Sequence, residues 1–444
     1  MNEGFGRLAA AVLVALCVAR GASGLDVTLE FEKYSSREDG TFRPYGGGGA
    51  RFLLECPEGD WKLPEFASDS PLFALIQLGD GKRLAAIDRK TPRSDFYDVL
   101  YFDANGNGDL TDDSAIRGDG QAFSGGRYHM TEFPALETTV EAGAASLPYV
   151  FLPRVSCFVQ EGEKLTPKYM AERGDLYLGV QCAYRGRFEL GGQPYFVIVN
   201  DRNGNGRFND PVSLMQVRVT GSLQPLYPQG DEVYLGESQA FDYYDGMPLS
   251  SLLVLGGRVY EVAVDVPAGK MTLTPYEQPL ASLRLGMEAE RLTLCSEDGT
   301  RCINMLRPGK QVMVPAGKYR LLSYQAQRND GQGDLWRVVA MATTDTPMFE
   351  VAAGSNGTLK FGEPYVPVVS VPRRRTAPPG ARVSDVPMSL NVLGRAQEQV
   401  VDVAHIQGNR TKIPLSGGWR PKEAQYRILK ADGERVAQGQ FEYG

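Results

Sequence analysis

Apolar and polar residues alternate at every second position in segment after segment of this chain. LDVTLEFE (Leu25 to Glu32), PYFVIVN (Pro194 to Asn200), RVYEVAVDV (Arg258 to Val266) and KYRLLSY (Lys318 to Tyr324) all follow the rule, and clusters of Gly, Pro, Asp and Asn separate them. Successive side chains of a strand point to opposite faces, so this period belongs to half-buried strands joined by tight turns. Helical periodicity is scarce; TPKYMAERG (Thr166 to Gly174) reads as a couple of helical turns. The pattern predicts an all-β chain of several antiparallel sandwich-type domains. At 444 residues it is too long for one core and suggests roughly two to four of them.

One phrase occurs twice. FDANGNGDLTDD runs from Phe102 to Asp113, and NDRNGNGRFND from Asn200 to Asp210. Tyr97, Val99 and Tyr101 alternate towards the first loop, and Tyr195, Val197 and Val199 lead to the second at the same spacing. A third segment, LGGRVYEVAV, matches LGGQPYFVIV through Leu255, Gly256, Gly257, Tyr260, Val262 and Val264, but runs into DVPAGKMTL, which lacks acidic and amide ligands. The repeated unit is therefore read as a hairpin whose second strand ends in a loop. Tyr and Val are its packing residues, and the loops carry the chemistry.

In a tight loop, residues one, three and five aim their side-chain oxygens at one centre, a glycine at six permits the turn, and residue seven supplies its carbonyl. Those positions are Asp103, Asn105, Asn107, Gly108 and Asp109 in the first loop, and Asp201, Asn203, Asn205, Gly206 and Arg207 in the second. Arg207 would use its backbone oxygen and leave its side chain in solvent. Apolar Leu110 and Phe208 follow and would anchor each loop to the core.

The arrangement resembles the calcium loops of EF-hand and dockerin modules, over these two short segments only. Those families place a bidentate acid at position twelve, where this chain has Ser114 and Val212; Asp112 and Asp210, both at position ten, are expected to close the shell instead. The preceding segments are strand-like, so a strand–loop version of the motif is expected. The resemblance implies calcium as the bound cofactor. With Asp103, Asp109, Asp112 and Asp113 against Asp201 and Asp210, the second loop is expected to bind more weakly. NDGQGDLW (Asn329 to Trp336) has Arg328 where the first acid belongs and reads as a turn.

The N-terminus reads as an export signal: Arg7, the apolar run Leu8 to Ala19, then a small-residue exit before Leu25. The run is short for a transmembrane helix, and no later stretch is long and apolar enough to span a bilayer. Beyond it lie Cys56, Cys157, Cys182, Cys295 and Cys302. A type I′ turn at Asp298-Gly299 would set Cys295 opposite Cys302 on one face and Leu294 opposite Ile303 on the other, within disulfide reach. Cys157 with Cys182 is a second candidate pair. The cysteine spacing and the two histidines, His129 and His405, do not make a zinc site.

The net charge of −7 argues against a general nucleic-acid role. The expected layout is an export signal over 1–24, a β domain with the first loop over 25–140, and one with the second loop and the ligand-less hairpin over 141–280. A sandwich module over 281–370, a Pro/Arg-rich linker over 371–382 and a small β module over 383–444, expected to dock on its neighbour, complete it. The Cys295–Cys302 hairpin and the Pro-Ala-Gly turn of VPAGKYRL (Val314 to Leu321) resemble prealbumin-like or immunoglobulin-like modules of exported bacterial proteins.

No GxSxG, HExxH, P-loop or dinucleotide fingerprint occurs, so no catalytic residue is named. Asp95 and Asp98 read as solvated strand-end acids. Trp61, Trp336 and Trp419 are scattered, as core tryptophans are. The sequence thus predicts a calcium-binding β protein, secreted, periplasmic or on the cell surface. Its role would be binding, of protein or polysaccharide, or surface structure. The alternative is a secreted hydrolase with a carboxylate pair outside the loops.

Overall fold

The computed structural model describes residues 24–34, 42–160, 163–215, 225–329, 334–370, 388–407, 410–411 and 424–441. Residues 1–23 of the expected export signal, the expected linker over 371–382, the centre of the Asn329–Trp336 segment and Trp419 lie outside them. The chain is all-β. Its one described α-helix, Pro167–Arg173, is capped by Thr166, whose hydroxyl accepts the Tyr169 N–H. Among the described residues no helix is long and apolar enough to cross a membrane.

Alternation places the core. A seventeen-stranded sheet begins with Leu25–Lys33, which pairs through Leu25–Thr28 with Lys270–Pro275 and through Leu29–Lys33 with Cys182–Leu190. Cys182–Leu190 continues into Gln193–Asn200 and then Glu232–Gly236. A four-stranded sheet (Leu72–Leu78, Gly81–Asp88, Val99–Phe102, Ile116–Arg117) and a six-stranded sheet around Ala145–Phe158 contribute to the same core. Phe102, Phe151, Leu176, Tyr184 and Val199 meet in it. A large apolar side chain contributes about 1.5–3 kcal/mol when buried, so this contact sets the frame that carries both loops.

A second core is sandwich-like. Leu280–Leu285, flanked by Gln311–Pro315 and Asn356–Leu359, packs Ala281, Leu283 and Val314 against Leu292, Leu294, Ile303 and Leu321 of the large sheet. Cys295 and Cys302 form a disulfide on the opposite face, against Val212, Leu226 and Leu322. The register is the expected one, Leu294 with Ile303 and Cys295 with Cys302. The turn is not type I′. Only Gly299 has positive φ (77°), while Asp298 stays on the ordinary side and accepts from the Ser296 and Thr300 hydroxyls. The second cysteine pair is not formed: Cys157 faces His129 and Cys182 faces Lys33, so both are buried free thiols, raised by burial to about 11 and about 12.

Repeat copies two and three are tight hairpins, turning at Gly191-Gly192 and Gly256-Gly257. All four glycines have positive φ, the geometry that matches strand twist in a two-residue turn. The first copy departs from this unit, since Val99–Phe102 reaches its partner Gly81–Asp88 through residues 89–98. Tyr97, at the end of that connection, is buried all the same. From the C-terminal segment, Gln399–Gln407 pairs with Leu335–Met341, and Gln425–Leu429 forms a hairpin with Arg435–Gln440 across Asp432-Gly433.

Candidate functional site

Each repeated loop begins where a buried strand ends. Val99–Phe102 delivers Asp103, Gln193–Asn200 delivers Asp201, and both carboxylates are 0% exposed. Leu110 and Phe208 are buried as anchors, Leu110 beside Phe73 and Leu84, Phe208 against the rings of Tyr149 and Tyr184.

The two loops share one hydrogen-bond network. Asp103 accepts the N–H groups of Gly106 (2.8 Å) and Gly108 (3.2 Å); Asp201 accepts those of Gly204 (2.7 Å) and Gly206 (2.6 Å). Asn105 Oδ1 accepts the Asn107 N–H, and Asn107 Oδ1 that of Asp109; Asn203 and Asn205 repeat this towards Asn205 and Arg207. Asp112 accepts the side-chain amides of Asn105 (3.3 Å) and Asn107 (2.7 Å), as Asp210 accepts those of Asn203 (2.7 Å) and Asn205 (2.5 Å). The side chains at positions one, three, five and ten are thus brought together twice, with Asp109 and Arg207 next to them by backbone.

Comparison with family models, curated proteins and solved structures finds no match. What each loop can hold follows from its donor set. Its side-chain and carbonyl donors are oxygens, which suits a hard cation of the calcium type. A cation would take the Asn oxygens once the amides, whose nitrogens now face Asp112 and Asp210, turn over. Among the described residues no three His, Cys, Asp or Glu side chains stand gathered as a ready cage, so the shell depends on amide and backbone oxygens.

The surroundings separate the two loops. The first is open: Asn105 and Asn107 are exposed, and Lys62 Nζ donates to Asp109 Oδ2 at 2.7 Å. That ammonium, with the Thr111 donors, holds the Asp109 carboxyl down at about 2. Arg83 is buried under Gly106, where a Cβ would lie 1.6 Å from its Nη1. Asp113 accepts the Ala104 N–H at 3.0 Å rather than facing the centre.

The second loop is enclosed. Gly47 donates its N–H to the Arg202 carbonyl and Gly79 to that of Asn205. A Cβ on Gly48 would lie 2.5 Å from the Asn203 carbonyl oxygen, so only glycine lets that strand lie on the loop. The Arg207 side chain stays exposed, as expected, and pairs at the surface with Asp80 at 2.9 Å. Asp201 also accepts the Tyr149 hydroxyl (2.7 Å) and the Asn205 N–H (3.3 Å). Hydrogen bonds to a charged group contribute about 1.5–3 kcal/mol each, which offsets much of the several kcal/mol that burial costs a carboxylate. Burial still prevails, raising Asp201 to about 6.

One acid at this loop is not legible in the motif. Asp231 is 1% exposed, and its Oδ2 accepts the Asp210 N–H at 2.8 Å. Burial first, then the neighbouring Asp201 charge, raise it to about 9. Asp231 lies 30 residues beyond Asp201, and only pairing of their strands brings it close; the one local signal is the Gly-Asp step before the alternating EVYLG. Outside the loops, Asp95 is exposed as expected, but Asp98 is buried, accepting the Lys90 N–H and pairing with its ammonium. Trp61 packs near Gly108, whereas Trp336 meets His405 elsewhere, so these two build no common platform.

Proposed function

We propose that this chain is an exported β protein of several modules, with a binding or surface-structural role, and that calcium held by its two repeated loops fixes the strands on either side. The observation that carries this reading is the shared network. Two segments about a hundred residues apart in the chain fold to the same geometry, each with a buried first acid and a tenth-position acid gripping both asparagines. An ordinary hairpin turn has no need of that second acid. A cation drawing in four side chains and a carbonyl would rigidify each loop and stabilise the folded state by mass action at the millimolar calcium outside cells.

Calorimetric titration with calcium tests it on the wild type, Asp103→Ala and Asp201→Ala. The expected result is two sites in the wild type and one in each variant. Absence of calcium-dependent heat and of any melting shift in the wild type would sink the reading.

A further inference from the structure

A different set of donors lies outside both loops, under the inner face of the six-stranded sheet. His129 stands opposite Cys157 in register, so imidazole and thiol share one face. That face is the inward one, since Val155 and Cys157 both belong to the core. On the other side of Cys157 the ladder ends with Ser156 opposite Asp175, and one step further sets Gly174 opposite Cys157. Gly174 keeps extended backbone and brings no side chain; a Cβ there would lie 3.1 Å from Met170 Sδ. The thioether of the Pro167–Arg173 helix thus takes the third place in the row. Opposed side chains of a sheet start about 4.5–5.5 Å apart, within reach of one small ion between them.

His129, Cys157 and Met170 line a single cavity of about 10 Å³, walled also by Phe96, Val155 and Leu165. That is room for one ion or water and far too little for an organic ligand. His129 Nδ1 is buried without a hydrogen-bond partner, and Cys157 is a free thiol, 2% exposed. Burial holds that thiol protonated, raised to about 11. Met130, opposite Ser156, turns to the other face by alternation.

We propose that His129 Nδ1, Cys157 Sγ and Met170 Sδ form a three-coordinate site for a soft monovalent cation of the copper(I) class. Thiolate and thioether sulfur select copper(I), and imidazole suits it. Charge selects it as well: one thiolate with two neutral donors balances a single positive charge, whereas a divalent ion would leave a net charge buried. Binding forms the metal–sulfur bond at Cys157 and releases the thiol proton to solvent. Among the described residues no third His, Cys, Asp or Glu side chain completes such a group, so the shell depends on the thioether, which tells against zinc.

Competition against a chromophoric copper(I) chelator tests this on the intact chain, under nitrogen and with the Cys295–Cys302 disulfide left oxidised. The wild type is expected to retain one copper(I) at this site, with two sulfurs and one nitrogen around the metal by X-ray absorption. Met170→Leu keeps the volume and apolar character of the side chain and removes its sulfur. A ligand counts for at least as much as the outer partners whose loss costs about 10–100-fold, so this variant should bind at least about tenfold more weakly. Cys157→Ser should lose the site, while Cys56→Ser, at the half-buried thiol, should keep it. No retained copper in the wild type, or loss of it in Cys56→Ser, overturns the inference. So does an affinity for Met170→Leu within about twofold of the wild type's, and this variant decides alone should Cys157→Ser fail to fold.

Discussion

Tyr149 donates its hydroxyl to Asp201 Oδ2 at 2.7 Å, and both residues are fully buried. The contact joins the Ala145–Phe158 strand of one sheet to the loop that leaves another. It makes the second loop a junction in the core, whereas the first stays at the surface. Tyr149→Phe keeps the ring and removes one donor from a buried carboxylate. The expected loss is about 1.5–3 kcal/mol by chemical denaturation. A change below about 0.5 kcal/mol, the scale of an ordinary surface substitution, would mean that the hydroxyl does not hold the acid.

The raised carboxyls give stability a definite pH dependence. Asp201 at about 6 and Asp231 at about 9 both lie above the ordinary 3.8, so the folded state binds their protons more tightly than the unfolded chain. The stability they contribute is full below about pH 4 and is lost as pH rises, through 6 for Asp201 and 9 for Asp231. In chelator, melting should fall between about pH 5 and about pH 9, and Asp231→Asn should flatten the part above pH 6. A wild-type profile rising over that window would contradict these assignments.

Lys62 competes for Asp109 at the open loop. Its side chain is 74% exposed, so the pair is weak and is screened by salt. Lys62→Met should therefore tighten calcium at the first loop by about two- to fivefold in low salt, and less in high salt. Titration in the Asp201→Ala background reads this site alone.

Glycines on the second loop's neighbour are a steric requirement. Gly48→Ala would drive its Cβ against the Asn203 and Gly204 carbonyls, at 2.5 and 3.2 Å, and should cost about 1–3 kcal/mol. Gly204→Ala should cost more, because its Cβ meets Gly48 N at 2.1 Å and its φ is +68°. Gly191→Ala is the control: nothing lies near its Cβ, leaving only the left-handed backbone penalty of about 1–2 kcal/mol. In urea melts the loss should be largest for Gly204→Ala, smaller for Gly48→Ala and smallest for Gly191→Ala.

What the sequence made legible is what local spacing determines. Alternation marked the strands, and it set Leu294 and Ile303 on one face with Cys295 and Cys302 on the other. The first, third, fifth and tenth loop positions converge because a short loop brings its own residues together. Long-range pairing escaped. Asp231, Tyr149, Asp80 and Gly48 reach the second loop from four separate segments, and beyond the Gly-Asp step at Asp231 nothing local marks that destination. Asp98 departs from expectation for the same reason: it stands just after the polar run Arg93 to Asp95, and its burial comes from the strands packed around it.

The split pairing of Leu25–Lys33 has a consequence for how the chain reaches this fold. The Thr272 hydroxyl donates to Asp26 across 246 residues of sequence, and Leu25–Thr28 takes its backbone partners from Lys270–Leu273. During synthesis the first strand therefore emerges long before the strand that covers its leading half. Until then its edge is open, as unpaired edges are in any slow, non-local assembly. Pairing of the leading half of the Leu25–Lys33 strand is in this sense a late event, timed by the arrival of residue 270 and its neighbours.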